Sequence, residues 1–117
     1  MNIREVVDIV KADVLTKFHD ENTEFKCGFA GDLMSDVLAY ACSDSLLITG
    51  LNNPQVIRTA EMLDITAVLF VRGKRPGKEV IELAKENCLT VLATEYTMFK
   101  TCGLLVINGM KGLDLDD

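Results

Sequence analysis

The sequence has no tryptophan and a single histidine, His19. A histidine-based metal site would need thiols or carboxylates for its other ligands, and a Ser-His-Asp triad would have to use His19. Positive charge is scarce. Twelve Lys and Arg stand against eighteen Asp and Glu, a net charge of −6. A free-standing nucleic-acid binder is normally basic because phosphate contacts dominate its affinity, so that class is excluded as an expectation. Long apolar runs are missing too. The longest, Ala67 to Val71 and Gly103 to Ile107, fall far short of the ~20 residues of a membrane helix. The first residues, Met1-Asn2-Ile3-Arg4-Glu5, show no apolar core behind positive charge, so no signal peptide is expected. Cys27, Cys42, Cys88 and Cys102 form no Cys-x-x-Cys pair. They are expected to be reduced thiols, mostly buried and packing as small hydrophobes. Together these absences predict a cytoplasmic protein with no membrane contact, no metal and no cofactor.

What remains is the composition of an ordinary globular domain: 117 residues, 49% hydrophobic and 26% charged. Ile3, Val6, Val7 and Val10 mark a first helical face with Asn2 as its cap. Val14, Leu15 and Phe18 read as a short extended piece, and His19 to Thr23 as a loop. Phe25, Cys27 and Phe29 alternate with other residues, the mark of a half-buried strand whose direction the sequence leaves open. Leu33, Val37, Leu38 and Ala41 resume a helical face, with Asp32 as the expected cap. Ser45 to Thr49 is a short buried strand. Asn53 caps the next helix and Pro54 occupies its first position. Ala67 to Val71 is a strand covered on both faces, and Val80, Ile81 and Ala84 form a helical face ending near Asn87. Thr90 to Ala93 is the last strand. Thr94 is the expected cap of a final helix stopped by Asn108-Gly109. This alternation predicts one α/β domain over residues 1–110, a mostly parallel sheet with helices on both faces, and a short frayed acidic tail at 111–117.

In an open parallel sheet, ligands bind outside the carboxyl ends of the strands. Four loops should occupy that edge: Gly31-Asp32, Thr49 to Asn53, Arg72 to Lys78 and Thr94-Glu95. Arg72, Lys74, Arg75 and Lys78 place four cations in one short segment of an acidic chain. Gly73 and Gly77 would let a ligand approach the backbone closely. A phosphate or carboxylate is the matching ligand class, although such charges also simply solvate a surface. The candidate ligand-binding residues are Asp32, Thr49, Asn52, Asn53, Arg72, Lys74 and Arg75. Asp32 and Asp36, four apart, could share a helix face as paired carboxylates, but capping by Asp32 is the simpler role. No complete catalytic constellation is present.

The segment Gly28-Phe29-Ala30-Gly31-Asp32-Leu33-Met34-Ser35-Asp36-Val37 resembles the Gly-Asp-Leu-Leu-Ser-Asp-Val core of the DRTGG domain family. Its motif positions here are Gly28, Gly31, Asp32, Ser35 and Asp36. Leu47-Ile48-Thr49 with Asn53-Pro54, Ala67 to Gly73, and Leu89 to Thr94 resemble later segments of the same family. The stretch that names the family falls near Asn22 to Gly28, and only Gly28 matches. Asn22, Thr23, Lys26 and Cys27 stand where Asp, Arg, Thr and Gly are expected.

The resemblance implies a fold similar to the N-terminal domain of HPr kinase/phosphorylase. It also implies a regulatory, dimer-forming role of the kind such domains have beside cystathionine-β-synthase (CBS) domains in regulated pyrophosphatases. The expected function is therefore a non-catalytic module that self-associates as a homodimer. The alternative is a sensor binding a nucleotide or other anion at loops 49–53 and 72–78. Outward apolar positions for an interface are expected among Met34, Tyr40, Met62 and Leu104.

Overall fold

The computed structural model of the chain describes residues 1–73 and 75–114. Five helices and five strands alternate: α1 (Ile3–Val10), β1 (Asp13–Val14), β2 (Cys27–Ala30), α2 (Met34–Tyr40), β3 (Ser45–Thr49), α3 (Pro54–Met62), β4 (Ala67–Phe70), α4 (Lys78–Glu86), β5 (Thr90–Ala93) and α5 (Met98–Ile107). The sheet order is β1-β5-β4-β3-β2. The strands β2 to β5 are parallel, with Cys27 opposite Ser45, Leu47 opposite Val68 and Leu69 opposite Leu92. The short β1 runs antiparallel on β5, pairing Asp13 with Ala93.

Consecutive strands lie side by side in one direction, and crossovers of one hand then place their helices on one face. That face holds Val37 of α2, Val56, Ile57 and Ala60 of α3, and Val80 and Ala84 of α4 against Leu47, Val68, Phe70 and Val91. The opposite face holds Ile3, Val6 and Val10 of α1 and Leu105 of α5 against Leu46, Ile48, Leu69 and Leu92. Every residue of β3, β4 and β5 is buried, as their unbroken apolar runs require of strands covered on both sides.

Local chemistry sets most boundaries. Asn2 caps α1 in a capping box: its side chain accepts from Glu5 N while the Glu5 carboxylate accepts from Asn2 N. Asn53 accepts from Gln55 N at 2.9 Å, with Pro54 in the first turn of α3. At the end of α5, Gly109 takes φ +108°, a conformation that favours glycine.

Two caps differ from expectation. The helix α2 starts at Met34 with Leu33 as its cap and no side-chain cap bond, so Asp32 lies one residue too early. Thr97, not Thr94, caps α5, accepting from Lys100 N. The buried Thr94 hydroxyl instead donates to Val10 O at 2.6 Å, tying α1 to the sheet edge.

The expected strand alternation also breaks. Phe25 packs beneath α1, whereas Phe29 packs toward the α2–α4 layer, and pairing begins only at Cys27. Its direction is parallel to β3. Lys111 and Gly112, assigned by sequence to the tail, touch the sheet. Gly28 N donates to Lys111 O at 2.9 Å and Gly112 bridges Gly28, blunting the β2 edge at that point. Lys74 and residues 115–117 lie outside the described residues.

Candidate functional site

The carboxyl edge of the sheet gathers the ends of β2, β3 and β4. Asp32 follows β2, and its Oδ1 accepts from the Thr49 hydroxyl at 2.9 Å and from Gly50 N at 2.8 Å. The Thr49 oxygen in turn accepts from Leu51 N at 3.1 Å, closing a tight turn. The Gly50 amide, helped by the Thr49 hydroxyl and the Arg72 charge, holds the Asp32 carboxyl below its ordinary range, against a smaller opposing push from burial. Asp32 is therefore an ionised acceptor at neutral pH, poorly suited to act as a general base.

Arg72 stands just past β4 at φ 62°, in the left-handed region. Its guanidinium lies across Gly50 and donates to Gly50 O at 3.4 Å. A Cβ at position 50 would collide with that guanidinium, so any larger residue there must displace the Arg72 side chain. The next residue, Gly73 (φ +66°), faces Glu95: a Cβ on it would fall 2.6 Å from a Glu95 carboxylate oxygen.

The connection after β4 leads to the α4 face and the connection after β5 leads to the α5 face. Their divergence is where an α/β sheet would open a crevice. Here the two loops are stitched together, Arg72 N to Tyr96 O at 2.7 Å and Gly73 N to Thr94 O at 2.9 Å. What remains between Lys11, Asp13, Gly73, Arg75 and Glu95 is a cavity of about 20 Å³, room for one water.

The sequence-selected residues thus divide. Asp32, Thr49 and Arg72 converge on Gly50. The Asn52 amide donates to Arg75 O at 3.1 Å, and the Arg75 guanidinium pairs with Asp13, tying the loop after β4 to β1. Asn53 is occupied as a cap. Ser35 and Asp36 are exposed in the first turn of α2, and Asp36 does not pair with Asp32, which lies outside the helix. Gly28 sits under Met110, whose Sδ would be 2.8 Å from any added Cβ. Gly31 N donates to Ile48 O at 3.0 Å. Lys74 is outside the described residues. Among the described residues no three His, Cys, Asp or Glu side chains cluster as a metal site.

Two features went unread in the sequence. The first is a groove of about 450 Å³ at the opposite, amino edge, lined by Thr16, Lys17, Phe18, His19, Lys85, Cys88 and Leu89. His19 helps to build it: its backbone N donates to the Thr90 hydroxyl and its ring Nδ1 lies 2.8 Å from Cys88 O. The residues come from segments some seventy positions apart, and no motif signals them. The second is α5. Phe99 is 91% exposed, Ile107 81% and Val106 61%. Nothing in the local sequence of this helix says which way Phe99, Val106 and Ile107 point. Of the outward candidates expected from the sequence, Met34 is buried and Leu104 half-buried, while Tyr40 and Met62 are exposed. The thiols differ too: only Cys27 is buried, Cys102 is intermediate, and Cys42 and Cys88 are exposed.

Comparison with known proteins follows the architecture. Among solved structures, the CBS and DRTGG domains of the regulatory region of Clostridium perfringens pyrophosphatase, complexed with the activator diadenosine tetraphosphate, superpose with a TM-score of 0.76. The match is 20% identical and covers 90% of this chain and 46% of that one. The likeness establishes the fold, and this chain spans just under half of the compared chain. No curated protein matches the sequence significantly. No helix among the described residues is long and apolar enough to cross a membrane. The DRTGG domain model matches residues 5–106. With the superposed fold and the sequence match in agreement over most of its length, this chain belongs to the DRTGG domain family.

Proposed function

We propose that this DRTGG domain is a regulatory module without catalysis of its own, which works by self-association into a homodimer through α5. The observation that carries the reading is the outer face of that helix. A surface helix normally turns polar residues outward. In α5 the outward positions Phe99, Gly103, Val106 and Ile107 follow helical spacing and are apolar or bare, and the one charged residue exposed beside them, Lys100, sets its ammonium 3.9 Å from the centre of the Tyr96 ring.

A second copy of the chain fits this face. Phe99 and Ile107 lie four residues on either side of Gly103, an exposed glycine with no neighbour within 4 Å of its would-be Cβ. Two antiparallel α5 helices crossing at Gly103 place each Phe99 against the partner's Ile107, and the bare glycines let the helices approach closely. Such a contact is isologous, the commonest closed symmetry. Each Phe presents roughly 150–250 Å². With Val106, Ile107 and flanking residues from both copies, the buried total approaches the ~1,000 Å² of a specific interface. An apolar hollow of about 190 Å³ between α5 and the β2 edge extends the same surface.

Light scattering across a micromolar dilution series tests the reading. A mass of twice the 12.9 kDa chain supports it, and a monomer at every concentration overturns it.

A second reading, sensing of an anionic ligand at loops 49–53 and 72–78, is favoured by Arg72. Among the described residues its side chain makes one hydrogen bond, leaving guanidinium donors for a phosphate. The comparison protein's complex with diadenosine tetraphosphate makes that compound the first to try. At 100 times its Kd, a ligand stabilises the fold by about 2.7 kcal/mol. Stabilisation lost in Arg72→Ala supports this reading, whereas stabilisation lost in Lys85→Ala places the ligand in the amino-edge groove instead.

A further inference from the structure

The amino edge of the sheet brings two cysteines together that the sequence keeps fifteen positions apart. Cys27 opens β2 and sits opposite Ser45, the first residue of β3. Cys42 lies in the connection between α2 and β3. Its Sγ is 3.9 Å from the Cys27 Sγ. The buried Ser45 hydroxyl stands between them, 3.3 Å from Cys27 Sγ and 3.4 Å from Cys42 Sγ, and accepts from Cys42 N. Cys42 is an exposed residue and Cys27 a buried one. The segment that carries Cys42 is the short loop between Tyr40 and Ser45, and its turn is closed by Ser45 N donating to Cys42 O at 3.1 Å. It is anchored at Asp44, whose carbonyl accepts from Lys26 N and whose carboxylate pairs with Lys26 Nζ at 3.3 Å.

We propose that Cys42 and Cys27 form a dithiol site that reacts with hydroperoxides and closes to an intramolecular disulfide. Cys42 is the attacking thiol and Cys27 the resolving one. In the first step the Cys42 thiolate attacks a peroxide oxygen. An S–O bond forms, the O–O bond breaks, and the departing hydroxide takes a proton from solvent. In the second, the Cys27 sulfur attacks the Cys42 sulfenic sulfur. The S–S bond forms, the S–O bond breaks, and the leaving hydroxide carries away the Cys27 proton as water. Two thiols and one hydrogen peroxide thus become one disulfide and two waters. The environments suit this order. The Ser45 hydroxyl draws the Cys42 thiol below its ordinary range, while burial pushes Cys27 up. Cys102 is also raised by burial and has no thiol beside it among the described residues.

The test uses the full chain carrying Cys88→Ser and Cys102→Ser, treated with hydrogen peroxide and read by intact mass and peptide mapping. The expected product has lost two hydrogen atoms, remains a single chain in non-reducing gels, and yields one peptide pair joined through Cys27 and Cys42. With Cys27→Ser added, dimedone should label Cys42 as its sulfenic acid. Oxygen addition without a cross-link, or a cross-link only between chains, overturns the proposal. Should the Cys27→Ser chain fail to fold, the mass change in the parent still decides. None of these readouts depends on self-association through α5.

Discussion

Replacing Phe99 by alanine separates the cost of folding from the cost of association. The side chain is 91% exposed, so its loss should leave the isolated fold within about 0.5 kcal/mol of the parent. In the two-fold arrangement each dimer buries two copies. At about 1.5–3 kcal/mol for each buried phenylalanine, the gross loss is about 3–6 kcal/mol. Because only a surplus of buried area appears as affinity, the lower end is the safer expectation. That is a weakening of about 100-fold in Kd. Sedimentation or light scattering over a dilution series reads the shift directly, with circular dichroism confirming an intact fold. Met62→Ala is the matched control: Met62 is 70% exposed, but it ends α3 on the opposite face of the sheet. It should leave the dimer unchanged. Gly103→Leu sharpens the test, because the two effects have opposite signs. Leucine is a better helix former than glycine by about 0.5–1 kcal/mol, and nothing in the monomer obstructs it. It should raise the stability of the isolated chain while forcing the paired helices apart. Dissociation by Met62→Ala with no effect of Phe99→Ala would refute the reasoning and move the interface to the α2–α4 face.

Other outcomes follow from the carboxyl edge and the β2 edge. Asp32→Ala leaves the Gly50 amide without its acceptor and should cost about 1 kcal/mol at pH 7. Because the folded-state pKa of Asp32 is depressed, that contribution is present above the unfolded pKa and is lost as pH falls through the folded value. Denaturation at pH 7 and through the acid range should therefore show variant and parent converging as pH falls below the ordinary carboxylate range. Gly28→Ala pushes a Cβ to 2.8 Å from the flexible Met110 side chain and should lower the melting temperature modestly. Adding Met110→Ala should remove the clash but open a cavity, so the double variant departs measurably from the sum of the singles. Asn53→Ala removes the α3 cap and should cost about 1 kcal/mol in chemical denaturation, with no effect on association.

Periodicity and capping chemistry settled the element order. The capping residues Asn2 and Asn53, the Pro54 start and the Gly109 stop are local devices acting within a few residues, so they are legible along the chain. The unbroken apolar run at Ala67 to Val71 announces a strand covered on both faces, and the observed strand, Ala67–Phe70, is buried throughout. The resemblance to the DRTGG family was likewise carried by short segments in order, and the family match confirms it over residues 5–106. Local pattern failed where a side chain had a better distant partner. Asp32 has the sequence of a helix cap, yet it binds the Thr49 hydroxyl and the Gly50 amide seventeen and eighteen positions away. Thr94 stands where a cap is expected and instead reaches Val10 O, eighty-four positions away.

The same division runs through the candidate sites. The sequence alone determined that an α/β sheet would put Asp32, Thr49 and Arg72 at one edge, because strand polarity follows from the alternation of strands and helices. Only the tertiary structure decided that the part of this edge between the β4 and β5 loops is stitched shut by the Arg72 and Gly73 amides, leaving one water of space beside Gly73, Arg75 and Glu95. Nor does the sequence of α5 say which side faces out, because the helix is apolar on nearly every side and has no polar face to mark the solvent. Packing against α1 and β2 fixes its rotation, and that rotation leaves Phe99 and Ile107 in water. The pairing of Cys27 with Cys42 has the same origin: the register that sets Cys27 opposite Ser45 is a long-range fact, and no local rule places a thiol of the loop before β3 beside one that opens β2.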